Sequence, residues 1–201
     1  MFADIVIPDG NEKEFIEMAE RLGYSAIVLA YPLKVKLPDI KSDNIKINFA
    51  RIVDAKELNK ANSSKEIIIA RAGAENRMLF ESKKIDIIFE LENKQKKDFI
   101  HHRASGMNHV LAKLAKQHNI SIAFSFSLML NNPAKRADIM ARMSQNIRLC
   151  RKYRISLIVA SFAKNPYEMR SPRDLMAVMG NIGMEGGEAK KALNKALEKF
   201  K

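Results

Sequence analysis

Residues 120–162 read ISIAFSFSLMLNNPAKRADIMARMSQNIRLCRKYRISLIVASF. Two short runs rich in Ile, Val and Phe, ISIAFSF (120–126) and SLIVASF (156–162), flank a long stretch with helical spacing. In that stretch Met140, Met143, Ile147 and Cys150 recur every three or four residues and form one apolar stripe. A strand, a helix and a strand in this order pair in parallel through a right-handed crossover. Both strands are nearly continuous apolar runs rather than clean alternations, as expected when both faces of a sheet are covered. Asn132-Pro133 sets a capping residue before proline at the start of the helix.

The same unit recurs outward from this stretch. Strands are predicted at FADIVI (2–7), YSAIVLA (24–30), IKINFARIV (45–53), EIIIAR (66–71) and IDIIFE (85–90). Helices are predicted at NEKEFIEMAERLG, as a short helix around AKELNKA, and at AENRMLFESKK and MNHVLAKLAKQHN. Val110, Leu111, Leu114 and Ala115 are expected to form the buried face of the last of these. SPRDLMAVMGNIG and GEAKKALNKALEKF close the chain, with Ser171 and Asp174 resembling a capping box. About seven parallel strands with surrounding helices predict an α/β fold, a TIM-barrel-like βα barrel, with an open doubly wound sheet as the second choice. No repeat or Gly/Ser linker divides the sequence, so one domain over residues 1–201 is expected, with C-terminal helices over 171–199 and a fraying end at KALEKFK.

Charge narrows the function. Residues 1–100 hold 17 Lys+Arg against 17 Asp+Glu, whereas residues 101–201 hold 18 against 6, so the entire net charge of +12 belongs to the second half. A localised positive field concentrates polyanions, and nucleic acid is the foremost of these. A single cysteine, Cys150, allows no internal disulfide and suits a reducing interior; it falls on the apolar stripe, where packing is its expected role. No leader-like segment and no span long enough for a bilayer stand out, so a cytoplasmic protein that makes no membrane contact is expected.

All four histidines lie between residues 101 and 118. Their spacing does not favour a metal site: His101 and His102 are neighbours that point apart on an extended segment, and His109 and His118 fall on opposite sides of a helix. Asp4 and Asp9 flank the first strand and read as capping or solvated groups. A metal-dependent phosphoesterase using His101, His102 or His109 with Asp4 or Asp9 is the alternative reading. No phosphate-binding glycine fingerprint and no nucleophile elbow occurs; Gly73 is a lone glycine between a strand and a helix.

The cations are more ordered. Strand C-termini and helix N-termini share one rim of a βα barrel. Arg71 ends a strand, Arg77 begins the next helix, Arg103 precedes another, Lys135 and Arg136 stand in the first turn of the long helix, and Arg170 and Arg173 bracket the start of the helix after the last strand. Cations cost a little at helix N-termini, and bound phosphate offsets that cost. A second basic face, Lys135, Arg142, Arg148 and Lys152, is expected on the outward side of the long helix. Aromatic residues do not interleave with basic ones, so contacts to the RNA backbone are expected to outweigh stacked bases.

The segments GMNHVLAKLAKQHNISIAFSFSLML, NNPAKRADIMARM and MRSPRDLMAVMGNIGMEGGEAKKAL resemble the archaeal ribonuclease P protein component 3 family, most clearly from about residue 66 to 193. The resemblance implies a barrel similar to the PHP-type phosphoesterases. Those enzymes carry an H-x-H pair near the end of the first strand, where this sequence reads DIVIPDG. It implies a subunit of a ribonucleoprotein endoribonuclease that removes the 5′ leader of precursor tRNA. It further implies that RNase P RNA carries the catalytic Mg²⁺, that RNase P protein component 2 is the protein partner, and that this chain holds no catalytic residue or cofactor of its own. RNA contact is carried over to Arg103, Lys113, Arg136, Arg170 and Arg173, with Arg71 and Arg77 at the margin.

Overall fold

The structure is a computed structural model and describes residues 1–61, 66–93, 98 and 100–199. Seven strands run β1 (Ala3–Val6), β2 (Ala26–Pro32), β3 (Lys46–Val53), β4 (Ile67–Arg71), β5 (Ile87–Phe89), β6 (Ser121–Ser125) and β7 (Leu157–Ala160). All neighbours pair in parallel and in sequence order. The sheet then curls back on itself: Val6 bridges Ala163, the Phe162 N–H donates to the Ile5 carbonyl at 2.8 Å, and the Ile7 N–H to the Ala163 carbonyl at 2.8 Å. A TIM-barrel-like fold with seven strands, the predicted class, is what forms.

This closure lacks the eighth strand of a full barrel, and Asp4 helps complete it. Its neighbours Ala3 and Ile5 belong to the lumen cluster, so Asp4 turns to the outer face of the seam. There its Oδ1 accepts the Ser161 backbone N–H at 2.6 Å, in the gap below the first backbone bonds. Asp4 is fully buried, which corrects the solvated or capping role expected for it. Burial pushes its pKa up to about 6 despite the hydrogen bonds it accepts from Ser161 and Ile5.

The lumen is solid. Ala3, Ala26, Ala30, Ala50, Ala123 and Ala160 alternate with Ile5, Val28, Ile52, Ile69, Ile87 and Ile158. Small residues beside large ones let seven strands close around a filled core. At the C-terminal mouth, Phe89 and Phe162 stack with centroids 4.4 Å apart and planes 9° apart, and the Arg71 guanidinium lies 5.2 Å from the Phe89 centroid.

Helices α1 (Glu12–Arg21), α2 (Asn76–Glu81), α3 (His109–Gln117), α4 (Phe126–Leu130), α5 (Arg136–Tyr153), α6 (Pro172–Ile182) and α7 (Gly186–Glu198) cover the outside. Helix α7 packs against β7 and β1, and its Ala196 joins the lumen cluster. The turn around AKELNKA is a single 3-10 turn, Leu58–Lys60. Strand β6 ends one residue earlier than predicted because the Ser125 hydroxyl accepts the Leu128 N–H at 3.2 Å and caps α4, a helix the sequence reading did not separate. The long helix begins with a 3-10 turn, Pro133–Lys135, and Asn132 does not cap it; its amide donates to the Leu128 carbonyl instead. Ser171 caps α6 as predicted. On α3 the buried residues are Leu111, Ala112 and Ala115, whereas Val110 is 43% exposed, so the apolar face is rotated from the expected one. Of the predicted fraying end KALEKFK, residues 195–198 still belong to α7, and Phe200 and Lys201 lie outside the described residues.

Candidate nucleic-acid interface

The rim cations fall into two physical groups. In the first, a carboxylate shares the charge. Arg71 Nε is 3.5 Å from Glu90 Oε2. Arg77 Nε is 2.7 Å from Glu81 one turn along α2, in an exposed pair worth little in stability. Arg103 Nη1 is 2.9 Å from Asp98 Oδ2 and 3.7 Å from Asp138 Oδ1.

In the second group the partners are neutral. Arg136 donates from Nε to the Met129 carbonyl at 3.0 Å and from Nη2 to the Leu130 carbonyl at 3.4 Å, filling acceptors that the end of α4 leaves open. Arg170 donates from Nη1 to the Tyr167 and Met169 carbonyls at 2.8 and 2.7 Å, and its guanidinium lies 5.5 Å from the Phe126 centroid. The Arg170 backbone is itself held, because the Tyr24 hydroxyl donates to its carbonyl at 2.8 Å. These two arginines thus engage opposite ends of α4, fixed in place, and among the described residues no carboxylate lies within ion-pair distance of either. Arg173 and Lys113 are exposed, on α6 and α3. Glu168, between the two parts of this surface, is occupied: its oxygens accept the Ser127 hydroxyl, the Asn131 amide and the Lys164 N–H at 3.0–3.2 Å.

Below Arg103 lies a hub that sequence reasoning missed. Asp98 accepts Arg142 Nε at 2.9 Å, Arg103 Nη1 at 2.9 Å and the Ala104 N–H at 2.8 Å. Its pKa is lowered: the opposing desolvation is outweighed by those hydrogen bonds and the Arg142 charge. Arg142 also donates to the Glu92 carbonyl at 3.1 Å and is 5% exposed, which corrects the expectation that it belongs to an outward basic face. Asn146 donates to Glu92 Oε1 at 2.6 Å and to the Ser105 carbonyl at 2.9 Å, and Gln145 joins the Arg103 backbone to Ser105. Gly106 completes the wrap with φ +81°; a Cβ there would meet the Leu91 carbonyl oxygen at an impossible 2.2 Å. Glu92, Asp98 and residues 103–106 are therefore bolted to α5.

Glu92 is fully buried, and that burial pushes its pKa up to about 7. Its folded pKa exceeds the unfolded value of 4.5, so between these values the native state binds the extra proton. This stabilisation is present below about pH 4.5 and is lost as pH rises towards about 7. Asp4 acts in the same direction between 3.8 and about 6. Chemical denaturation is expected to show unfolding free energy falling from pH 5 to pH 7.5, by a few kcal/mol in order of magnitude. Glu92→Gln, which mimics the protonated carboxyl, is expected to remove roughly half of that fall; an unchanged fall in the variant would contradict this account.

Over residues 1–200 the sequence matches the family model described as RNase P subunit p30. The chain belongs to the RNase P subunit p30 family. Among its relatives, ribonuclease P protein component 3 of Methanosarcina mazei is 30% identical over 96% of this chain and 84% of that one. The component 3 protein of Methanococcoides burtonii is 30% identical over 94% and 80%. That of Thermococcus kodakarensis reaches 43% over a 90-residue segment, 44% of this chain and 41% of that protein. Among solved structures, a chain of an archaeal ribonuclease P with mature tRNA aligns with a TM-score of 0.77 at 22% identity, over 98% of this chain and 88% of that one. Histidinol phosphate phosphatase of Lactococcus lactis, solved with zinc, aligns with a TM-score of 0.60 at 8% identity, over 92% and 94%. At these identities both structural likenesses concern the fold.

The p30-family barrel offers a metal-dependent reaction little to work with. Beside the end of β1 lies a hollow of about 430 Å³ lined by Ile7, Pro8, Asp9, Glu12, Tyr31 and Lys164, among others. Two carboxylates beside a lysine, with no imidazole, are a poor donor set for zinc. Among the described residues no three His, Cys, Asp or Glu side chains converge. His101, His102 and His109 are exposed, and the His118 ring nitrogen lies 2.9 Å from the Phe80 carbonyl. The histidines thus do not fit the donor set that the phosphoesterase alternative needs. Cys150 is buried against Met107, and burial raises its thiol pKa, in keeping with a packing role. Among the described residues no helix is long and apolar enough to cross a membrane.

Proposed function

We infer that this p30-family chain is the component 3 protein subunit of an archaeal-type RNase P, and that its basic rim grips RNase P RNA. The observation that carries the reading is the pair Arg136 and Arg170, immobilised on α4 by neutral carbonyls. A guanidinium anchored in this way is already ordered and still carries its full charge, so phosphate binding gains Coulomb energy at a small entropic cost. Arg173 and Lys113 extend this field; Arg103 adds to it in part, with Arg71 and Arg77 at the margin. Cations at the rim lower phosphate–phosphate repulsion, and the RNA then folds compactly with fewer free counterions. Hydrolysis of precursor tRNA belongs to Mg²⁺ on that RNA, in a particle that includes RNase P protein component 2.

Reconstitution tests the reading. Adding the full chain together with component 2 to RNase P RNA is expected to raise 5′-leader removal most strongly at limiting Mg²⁺ and little at saturating Mg²⁺. A rate that is independent of the chain at every Mg²⁺ concentration would exclude the subunit role. Phosphodiester cleavage by the chain alone, lost on His→Ala substitution, would favour the phosphoesterase.

A further inference from the structure

We propose that Tyr167 is a stacking platform for an unpaired nucleobase of the bound RNA. The proposal rests on the RNA-binding reading above and extends it from phosphates to a base. Among the described residues Tyr167 is the most exposed aromatic, at 78%. It is also held rigidly. Pro166, Tyr167 and Glu168 form a 3-10 turn in which the Asn165 side chain accepts the Tyr167 N–H at 3.0 Å. Arg170 Nη1 bonds the Tyr167 carbonyl at 2.8 Å, and Glu168 is tied to α4 from the other side. An exposed ring on a fixed backbone loses little conformational freedom when it binds a flat partner.

The surroundings select the kind of partner. Lys164, Arg170 and Arg173 lie within six residues of Tyr167 and outnumber the one carboxylate in that span, Glu168, which is held by three neutral donors. The Arg170 guanidinium, already over the Phe126 ring, bonds the Tyr167 backbone carbonyl and so stays close to this turn. An exposed aromatic amid phosphate-binding cations is the arrangement by which unpaired strands are held, bases on the ring and phosphates on the cations. A protein partner would need carboxylates to match the same cations, and nothing in the neighbourhood supplies the apolar surface of an interface core.

The sequence provides a clean test, because the chain has no tryptophan. Tyr24 and Tyr31 are buried and Tyr153 is half-buried. In Tyr167→Trp the only indole therefore reports on this position. Titration with RNase P RNA is expected to quench its emission, and the quenching should saturate with binding. In the unlabelled chain, Tyr167→Ala is expected to weaken RNA affinity about 5- to 150-fold, the span for one stacked base. Tyr167→Phe is expected to stay within about twofold. The slope of log affinity against log salt should not change in Tyr167→Ala, since no phosphate contact is lost, whereas Arg170→Ala should flatten it by about one unit. Wild-type affinity in Tyr167→Ala, or unquenched emission from a bound Tyr167→Trp chain, overturns the proposal and leaves the RNA reading intact. Loss of component 2 binding in Tyr167→Ala with normal RNA affinity overturns it in favour of a protein contact. Failure of the wild-type chain to bind RNA removes the underlying reading itself.

Discussion

Arg142→Ala is expected to lower the unfolding free energy by about 3–5 kcal/mol, the cost of breaking a buried ion pair by removing one partner. Arg142 is 5% exposed and ties together two segments that are far apart in sequence, through Asp98 and the Glu92 carbonyl. Without it the Glu92 carbonyl loses a charged donor, a void opens beside Met143 and Asn146, and Asp98 keeps only its bonds to Arg103 and Ala104. Arg142→Met combined with Asp98→Asn should recover part of the loss, because the uncompensated charge is then gone. Denaturant midpoints at fixed slope measure this directly. A fall below about 1 kcal/mol for Arg142→Ala would mean that the hub does not fasten the loop. Asp98 also holds Arg103, so the same variant is expected to lose RNA affinity as well as stability.

The second large effect is functional. Arg136→Ala with Arg170→Ala is expected to reduce RNA affinity at 50 mM salt by roughly a hundredfold or more, at about 1.5–3 kcal/mol for each charge-assisted contact. The salt dependence should flatten by roughly 1.4–1.8 units for two lost phosphate contacts. Arg136 is exposed and Arg170 half-exposed; their bonds to carbonyls and the Arg170 contact with Phe126 are open to solvent, so the folded chain is expected to lose a few kcal/mol and stay folded. Lys substitutions at the same positions should recover part of the affinity but not the fixed geometry. Filter binding across a salt series together with a thermal melt separates the two effects; unaltered affinity in a folded double variant would move the RNA elsewhere on the surface.

How far the sequence reaches depends on the range of the physics involved. The seven strands were legible because burial on both faces makes each a dense Ile/Val/Phe run, and β-branched runs identify themselves locally. Helix α4 was hidden because its cap, Ser125, sits inside such a run and resembles one more strand residue. The hub was hidden for another reason: Asp98 and Arg142 are 44 residues apart, and no short window joins them. Even so, a signal existed. Arg142 falls three residues after Ile139 and next to Met143, on the buried side of α5, where an outward cation does not belong. Asp4 likewise sits between Ala3 and Ile5 in a strand too apolar to leave it solvated. The rim arginines were legible as a set, because βα order alone places strand ends and helix starts together. Which of them keeps its charge was not legible, since that depends on whether a carbonyl or a carboxylate stands opposite.

The filled lumen has a further consequence. Phe89 and Phe162, stacked under Arg71 above a close-packed Ala/Ile core, leave nothing beneath the rim that can yield. A load pressed on that surface meets an incompressible plug, so the accommodation in any assembly falls to the partner. A flexible polyanion seated on this rim is therefore expected to bend to the protein's contour, rather than the protein to its own.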